Sequence, residues 1–279
     1  GNRNTGRENF FMRKRLRIAV FIVFFIGIVL TAFRYFKFVS KTVYEESASH
    51  LTEVFHQSNN VLNELANKNL TYLHMWGEYL KKVSDESEIR DYIDKAQEEA
   101  GFLYFYFLSA DGNYKMLTGE TGYLGLQEDL EDKITLGEDI ITNAVVPGKQ
   151  QMLVFASPQS HGSYQGFEYD AIAIAYENAD IVDVLDISAF NGNAKSYVVH
   201  PDGRVVIDHS FEAWGTVYNF FGVLREHSNM SEKEILELSG KFKEGRTDTM
   251  LVNLDGNNYY LVYGNSECQD WIFLGLVQA

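Results

Sequence analysis

The chain has 279 residues, 46% of them hydrophobic and 14% aromatic, with three prolines and one cysteine. That composition excludes a disordered or collagen-like chain, and a lone Cys268 excludes an intrachain disulfide and a multi-cysteine zinc site. The net charge of −15 is uneven: residues 1–40 hold eight Lys/Arg and one acid, so the remainder is strongly acidic and offers nucleic acid no electrostatic footprint.

Residues 18–33, IAVFIVFFIGIVLTAF, carry no charge. As a helix this run spans about 24 Å at 1.5 Å per residue. A bilayer core is about 30 Å thick, so Arg17 and Arg34 fall near the two interfaces, where they snorkel at small cost. The flank Thr31-Ala32-Phe33-Arg34 lacks the small-residue pattern of a signal-peptide cleavage site, which favours an uncleaved anchor. The basic residues ahead of the run place the N-terminus in the cytoplasm and the residues beyond the run outside. The expected layout is a cytoplasmic N-terminus over 1–15 and a transmembrane anchor over 16–38.

From Leu16 to Ser84 there is no proline, and the only glycines are Gly27 and Gly77. Ala48, Leu51, Phe55, Ser58, Leu62, Leu65, Asn69, Leu73, Trp76, Leu80 and Val83 recur at steps of three and four, which marks one face of a long helix. The spacing predicts a spine over 39–84, with polar intrusions at Ser58 and Asn69. His50, His56 and His74 do not share an i,i+4 pair, so no helical metal site is expected.

A short acidic helix over about 86–100 is followed by strands and turns. Asp111-Gly112, Asp202-Gly203 and Asp255-Gly256 each sit between apolar strand-like runs, a hairpin signature. A fourth hairpin turns at Pro147-Gly148. Taken in order, the elements repeat: an Asp-Gly hairpin, an irregular stretch, a second hairpin and a last strand (Phe167–Tyr176, then Trp271–Val277). The repeat predicts an α+β chain with two tandem PAS-like modules, each an antiparallel five-stranded sheet, over 85–187 and 188–279 and joined by a short helix at Ala179–Asp186.

The anchor, the long helix, the two modules, the Asp-Gly hairpins in Tyr197–Ile207 and Leu251–Val262, and the strand Asp270-Trp271-Ile272-Phe273-Leu274-Gly275-Leu276-Val277 together resemble the double Cache sensor domain of bacterial transmembrane receptors. The resemblance covers roughly residues 16–279. It is most similar to input domains of hybrid sensor histidine kinases from Gram-positive anaerobes, and diguanylate cyclases and chemoreceptors carry similar domains. It implies a ligand-sensing input domain, with the last strand leading to a second membrane helix and a cytoplasmic transmitter. It also implies a homodimer through the long helix in the full receptor, and a pocket in the module farther from the membrane.

Catalytic motifs are not found: no G-x-G-x-x-G, P-loop, zincin helix or G-x-S-x-G occurs, and no cofactor is implied. His200, Asp208 and His209 read as exposed turn residues, Asp180, Asp183 and Asp186 as a solvated helix face, and Cys268 as inert. A membrane-anchored interaction module and an anchored enzyme are the rival classes; the second would need convergent titratable groups.

In the variant of the family that binds amino acids, a Tyr…Arg-x-Trp-Tyr run holds the ligand carboxylate and a downstream Asp its amine. This chain departs from that pattern. No arginine lies between Arg90 and Arg204, and residues 101–190 hold three lysines against fourteen acids. A carboxylate would find no guanidinium fork there. Asp170 opens a strand in which Ala171, Ala173 and Ala175 leave one face shallow, as a cavity or a closely packed helix requires. Tyr104, Tyr106 and Phe155 are expected aromatic walls. The expected ligand is a small neutral or cationic molecule, such as an amine or a nucleobase-like ring.

Overall fold

The computed structural model describes residues 4–126, 130–145, 151–184, 194–208, 214, 217–266 and 270–279; side chains of residues 1–23 and of some further positions are outside that description. The expected turn at Pro147-Gly148, the end of the joining helix at Asp186, and the residues His209 and Cys268 lie outside the described residues. The chain divides into two compact units, Gly1–Leu51 and Thr52–Ala279.

Helix α1 runs from Asn4 to Leu80. Within the first unit Phe24, Phe25, Phe33 and Phe36 are 66–69% exposed. Among the described residues, no helix is long and apolar enough to cross a membrane; six residues of the 18–33 run have side chains outside that set. Within the second unit the predicted helix face is buried. Phe55, Ser58, Leu62, Asn69, Leu73 and Trp76 all lie inside, and Ala66 is buried where Leu65 is half-buried. The helix ends at Leu80, three residues before Val83.

Helix α2 (Glu86–Ala100) is capped by Asp85, whose carboxylate accepts from the backbone N–H groups of Ser87 and Glu88. Gly101 ends it in the left-handed conformation (φ 76°). Strands β1 (Tyr104–Leu108), β2 (Asn113–Met116), β3 (Thr121–Tyr123), β4 (Gly125–Leu126), β5 (Ile140–Val145), β6 (Gln151–Tyr164) and β7 (Phe167–Glu177) form one antiparallel sheet in the order β3-β2-β1-β7-β6-β5-β4. Helix α3 (Leu130–Leu136) lies between β4 and β5 in the chain, and α4 (Asn178–Val184) follows β7. Strands β8 (Ala194–Val199), β9 (Val205–Asp208), β10 (Asp248–Leu254), β11 (Asn257–Asn265) and β12 (Ile272–Gln278) form the second sheet in the order β10-β11-β12-β8-β9. Helices α5 (Phe220–His227) and α6 (Glu232–Lys243) fall between β9 and β10.

The first sheet has seven strands where five were expected. The additional two, β3 and β4, are three and two residues long, too short to carry the alternation that marks a strand in sequence. Without them both sheets have one topology. In chain order, the second, first, fifth, fourth and third strands lie side by side in each. The repeat read from hairpin order is therefore a repeat of strand connectivity.

Both sheets pack on the same helix. Trp76 lies against Phe102 and Phe105 of the first module, at ring-centroid distances of 5.4 and 6.2 Å. Phe55 meets Phe273 of the second at 5.4 Å. Of the two polar intrusions, Ser58 is buried and Asn69 is a docking point, its Oδ1 accepting from Tyr176 Oη of β7 (2.9 Å); beside Ser58, Asn59 Nδ2 donates to the Asn265 carbonyl of β11 (3.4 Å). Gly264 makes the approach of Phe55 possible, since a Cβ there would lie 2.8 Å from the Phe55 ring.

The modules also meet directly. Asn143 and Gln151 both donate to the Val205 carbonyl (3.3 and 3.0 Å), and Asn178 donates to the Asp208 carbonyl (3.1 Å). Strand β9 is an edge of the second sheet, so these side-chain amides cover carbonyls that an edge leaves open.

Candidate functional site

The face of the first sheet turned away from α1 is built from alternate residues of its strands. Tyr106 and Leu108 of β1, Tyr114 of β2, Ile140 and Ala144 of β5, Met152, Val154 and Ala156 of β6, and Ala171, Ala173 and Ala175 of β7 form one buried cluster. Tyr104, Met116 and Ile134 pack against it, and Leu124 and Leu130 cover it. Register sets its shape. On β7, Ala175 faces Tyr104 and Val154, Ala173 faces Tyr106 and Ala156, and Ala171 faces Leu108 and Pro158. Cross-strand neighbours share a face, so the alanines form a low stripe beside the tyrosines, a buried face termed the trough below. The alternative reading of the alanine stripe, a closely packed helix, is met by α3, whose Leu130 and Ile134 pack against this cluster, while α1 packs on the opposite face through Phe105 and Tyr176.

Within this trough Tyr104 and Tyr106 have ring centroids 5.9 Å apart, and Tyr106 and Tyr114 meet edge to face at 4.8 Å. Burial, then the neighbouring Tyr114, Tyr104 and Glu120, push the Tyr106 phenol well above its ordinary range. It is a neutral hydroxyl throughout the physiological range, able to donate or accept one hydrogen bond.

The four expected site residues are not gathered in one place. Tyr104 and Tyr106 line the trough. Phe155 does not: it pairs with Ile174, belongs to the α1 face, and meets Tyr176 edge to face at 6.0 Å. Strand parity decides this, and aromatic richness alone does not. Asp170 has its carboxylate engaged at the strand end. Its Oδ2 accepts the Ala110 N–H at 3.0 Å, and its Oδ1 lies 3.2 Å from His161 Nδ1. It ties the β1–β2 turn to β6. Around it the alternation of β7 breaks, because Tyr169 packs on Phe107 (4.9 Å) although Ala171, two residues on, faces the trough. The cause is a bulge: three residues, Gln159, Ser160 and His161, oppose Asp170 alone.

Sequence reasoning missed Tyr114, Met116 and the Leu124/Leu130 cover. Tyr114 and Met116 were legible as the alternate positions of a short strand. The cover comes from segments without a periodic pattern. Arg90, the arginine that bounds the gap, donates to the Leu117 carbonyl (2.8 Å).

The other chemical clusters are dispersed. His200 was expected in an exposed turn; it follows β8 directly and its ring is buried because Trp271 covers it (6.1 Å, edge to face). Asp208 Oδ2 accepts the Val217 N–H. Asp180 is exposed, and the side chains of Asp183 and Asp186 lie outside the described residues. Among the described residues, no group of three or more His, Cys, Asp or Glu could hold a metal ion.

Solved structures share this arrangement. The ligand-binding domain of the Pseudomonas aeruginosa PAO1 amino acid chemoreceptor PctB, in complex with L-Arg, superposes with a TM-score of 0.59 at 16% identity, over 84% of this chain and 96% of that one. The chain has the double Cache fold. The sensory domain of the Campylobacter jejuni chemoreceptor Tlp3, with isoleucine bound, gives a TM-score of 0.53 at 8% identity, over 86% and 94% of the two chains. The extracellular domain mmHK1S-Z3, assigned to a histidine kinase, gives 0.54 at 12% identity, over 82% and 94%. No protein-family model and no curated protein matches the sequence. At these identities the double Cache likeness concerns the fold, and the trough is this chain's own: its floor of alanines and its tyrosine wall follow from residues 104–116 and 152–175.

Proposed function

We propose that the chain is the extracytoplasmic, ligand-sensing input domain of a membrane-anchored receptor. The observation that carries this reading is the double Cache fold itself, and we infer that its ligand enters at the buried face of the first sheet where alanines lie beside Tyr104 and Tyr106. The solved domains of the same fold come from chemoreceptors and from a histidine kinase, and several hold amino acids or GABA. The anchor over 16–38 is supported by the uncharged run 18–33 and by the exposure of its phenylalanines, which need an apolar medium. A histidine kinase output is the preferred reading, and a diguanylate cyclase or chemoreceptor output the alternative. Coding sequence downstream of Ala279 distinguishes them: a phospho-acceptor histidine with an ATP-binding domain means kinase, and a GGDEF run means cyclase.

The trough's ligand is a small neutral or cationic molecule. Tyr104 and Tyr106 form its wall, and Asp170 supports the rim through Ala110 and His161. The absence of arginine between Arg90 and Arg204 removes the fork that a carboxylate would use. A thermal-shift screen of the detergent-solubilised chain against amines, nucleobases, α-amino acids and dicarboxylates tests this. A ligand at 100 times its Kd adds about 2.7 kcal/mol, and Tyr106→Ala should abolish that gain. Strong stabilisation by α-amino acids or dicarboxylates would sink the charge argument. No stabilisation by any small molecule would favour the interaction-module reading.

A further inference from the structure

A cavity of about 390 Å³ lies on the α1 face of the first sheet, opposite the alanine stripe, at the corner where α1 turns into α2. Its base is aromatic. Phe107 stacks on Tyr164 at 4.3 Å and meets Tyr169 at 4.9 Å. Its polar walls come from the α1–α2 turn and from the three bulged residues of β6.

Two glycines make this shape possible. Gly77 sits within α1, where a glycine costs about 1 kcal/mol relative to alanine. A Cβ there would overlap the Gln159 side-chain amide, and a Cβ at Gly162 would overlap the Tyr169 ring. Both positions leave room for a polar side chain of the cavity wall. The bulge itself places Gln159, Ser160 and His161 at the opening, and no pairing partner in β7 requires them there.

The charges on the lining are already balanced within the protein. Lys81 Nζ is 2.6 Å from Glu78, His161 lies between Asp170 and Glu168, and Glu86 is in the first turn of α2, where the helix dipole favours an acid. A ligand therefore gains little from net charge. What the walls offer is neutral: the hydroxyls of Ser84, Ser160, Ser163 and Tyr169, and the amide of Gln159. Among the described residues these four hydroxyls make no side-chain hydrogen bond. Closely spaced hydroxyl and amide groups above aromatic rings match a molecule with several hydroxyls on a ring whose C–H faces are apolar.

We propose that this cavity binds a neutral, polyhydroxylated ring, a monosaccharide or cyclitol, as a second ligand of the domain. The two sites share strands. Phe107 lines the cavity while its neighbour Tyr106 lines the trough, and Asp170 separates Tyr169 of the one from Ala171 of the other. Occupancy of either site thus bears on the same short backbone segments, and any coupling in affinity is reciprocal. Binding in this cavity is independent of the receptor reading and of the trough's ligand.

Isothermal titration of the detergent-solubilised chain with D-glucose, D-galactose, N-acetyl-D-glucosamine and myo-inositol, each to 10 mM, tests it. At least one should bind at one site per chain. Ser160→Trp, which fills the opening, and Gln159→Ala should each weaken it tenfold or more, while Tyr106→Leu in the trough should leave it within threefold. Ser160 is on an exposed bulge, so its variant should fold, and circular dichroism checks this. No binding by any of the four, or binding indifferent to both cavity variants, would overturn the proposal. Loss of sugar binding in Tyr106→Leu alone would move the sugar to the trough and overturn it equally. Failure of the amine screen would leave this result standing.

Discussion

Single side chains show how this protein uses polar groups inside an apolar interface. Asn69 is fully buried on α1 and is held by the Tyr176 hydroxyl. Burial pushes the Tyr176 phenol up to about 12, so it stays neutral and bonds to Asn69 across the physiological range. Asn69→Ala removes that bond and leaves the hydroxyl to the Ala100 carbonyl, 3.3 Å away, so it should cost about 0.5–1.5 kcal/mol in urea denaturation. In the Tyr176→Phe background the same change should cost distinctly less, because the hydroxyl is already gone. Trp76 contributes more. It is 2% exposed and fills the space against Phe102 and Phe105, so Trp76→Ala should cost about 3–5 kcal/mol. His161 gives a pH signature. The hydrogen bond to Asp170 raises its pKa above the ordinary histidine value, and Glu168 adds to this. A raised folded-state pKa stabilises the fold below the unfolded value of about 6.5, and that contribution disappears as pH rises through the folded value. The melting temperature should therefore carry a small decline as pH rises above the ordinary histidine value of about 6.5, and His161→Gln should remove it. An identical profile in that variant would show that the pair does not form.

At the scale of elements, the three Asp-Gly turns are alike in sequence and different in geometry. Only Asp255-Gly256 is a two-residue turn, joining Leu254 to Asn257, with both residues at positive φ (50° and 83°). That is the type I′ pattern, in which asparagine is tolerated at the first position and a β-branched residue is not. At Asp111-Gly112 and Asp202-Gly203 only the glycine has positive φ, within longer loops. Gly203→Ala should be the most damaging of the three glycine substitutions, because its Cβ would overlap the buried Phe221 ring as well as straining the backbone. Chemical denaturation of the three alanine variants ranks them. Helix α6 begins with a capping box in which Ser231 and Glu234 bond reciprocally, so Ser231→Ala should cost about 0.5–2 kcal/mol. Between modules, Asn143 and Gln151 converge on one carbonyl of an edge strand. The double variant Asn143→Ala/Gln151→Ala should uncouple the sheets, with hydrogen exchange at β9 rising before exchange at β12.

For the whole molecule, the long helix touches both sheets, the first through Trp76 and Asn69 and the second through Phe55 and Asn59. Within the proposed receptor, a change in the first module can reach the second along that helix, through the Val205 clasp, and through α4 by the Asn178–Asp208 bond. Inserting a flexible Gly-rich segment near Phe38 should leave ligand binding intact and abolish signalling in the full receptor. Normal signalling with the insert would leave the strand Trp271–Val277 as the sole route.

The sequence by itself determined what depends on local periodicity. The spine's buried face, the hairpin order and the doubling of one module follow from spacing and turn residues, because a helix repeats every 3.6 residues and a strand every two. The departure from arginine-based carboxylate binding is likewise plain in composition. Side-chain grouping across the first sheet was decided by tertiary structure alone. Phe155 and Tyr106 read alike as aromatic strand residues, yet register puts them on opposite faces, and the bulge at Gln159–His161 turns Asp170 into a strut. His200 reads as a turn residue and is buried because Trp271, seventy-one positions away, closes over it. Such outcomes depend on pairing between strands distant in the chain, and a one-residue difference in that pairing exchanges the two faces of a sheet.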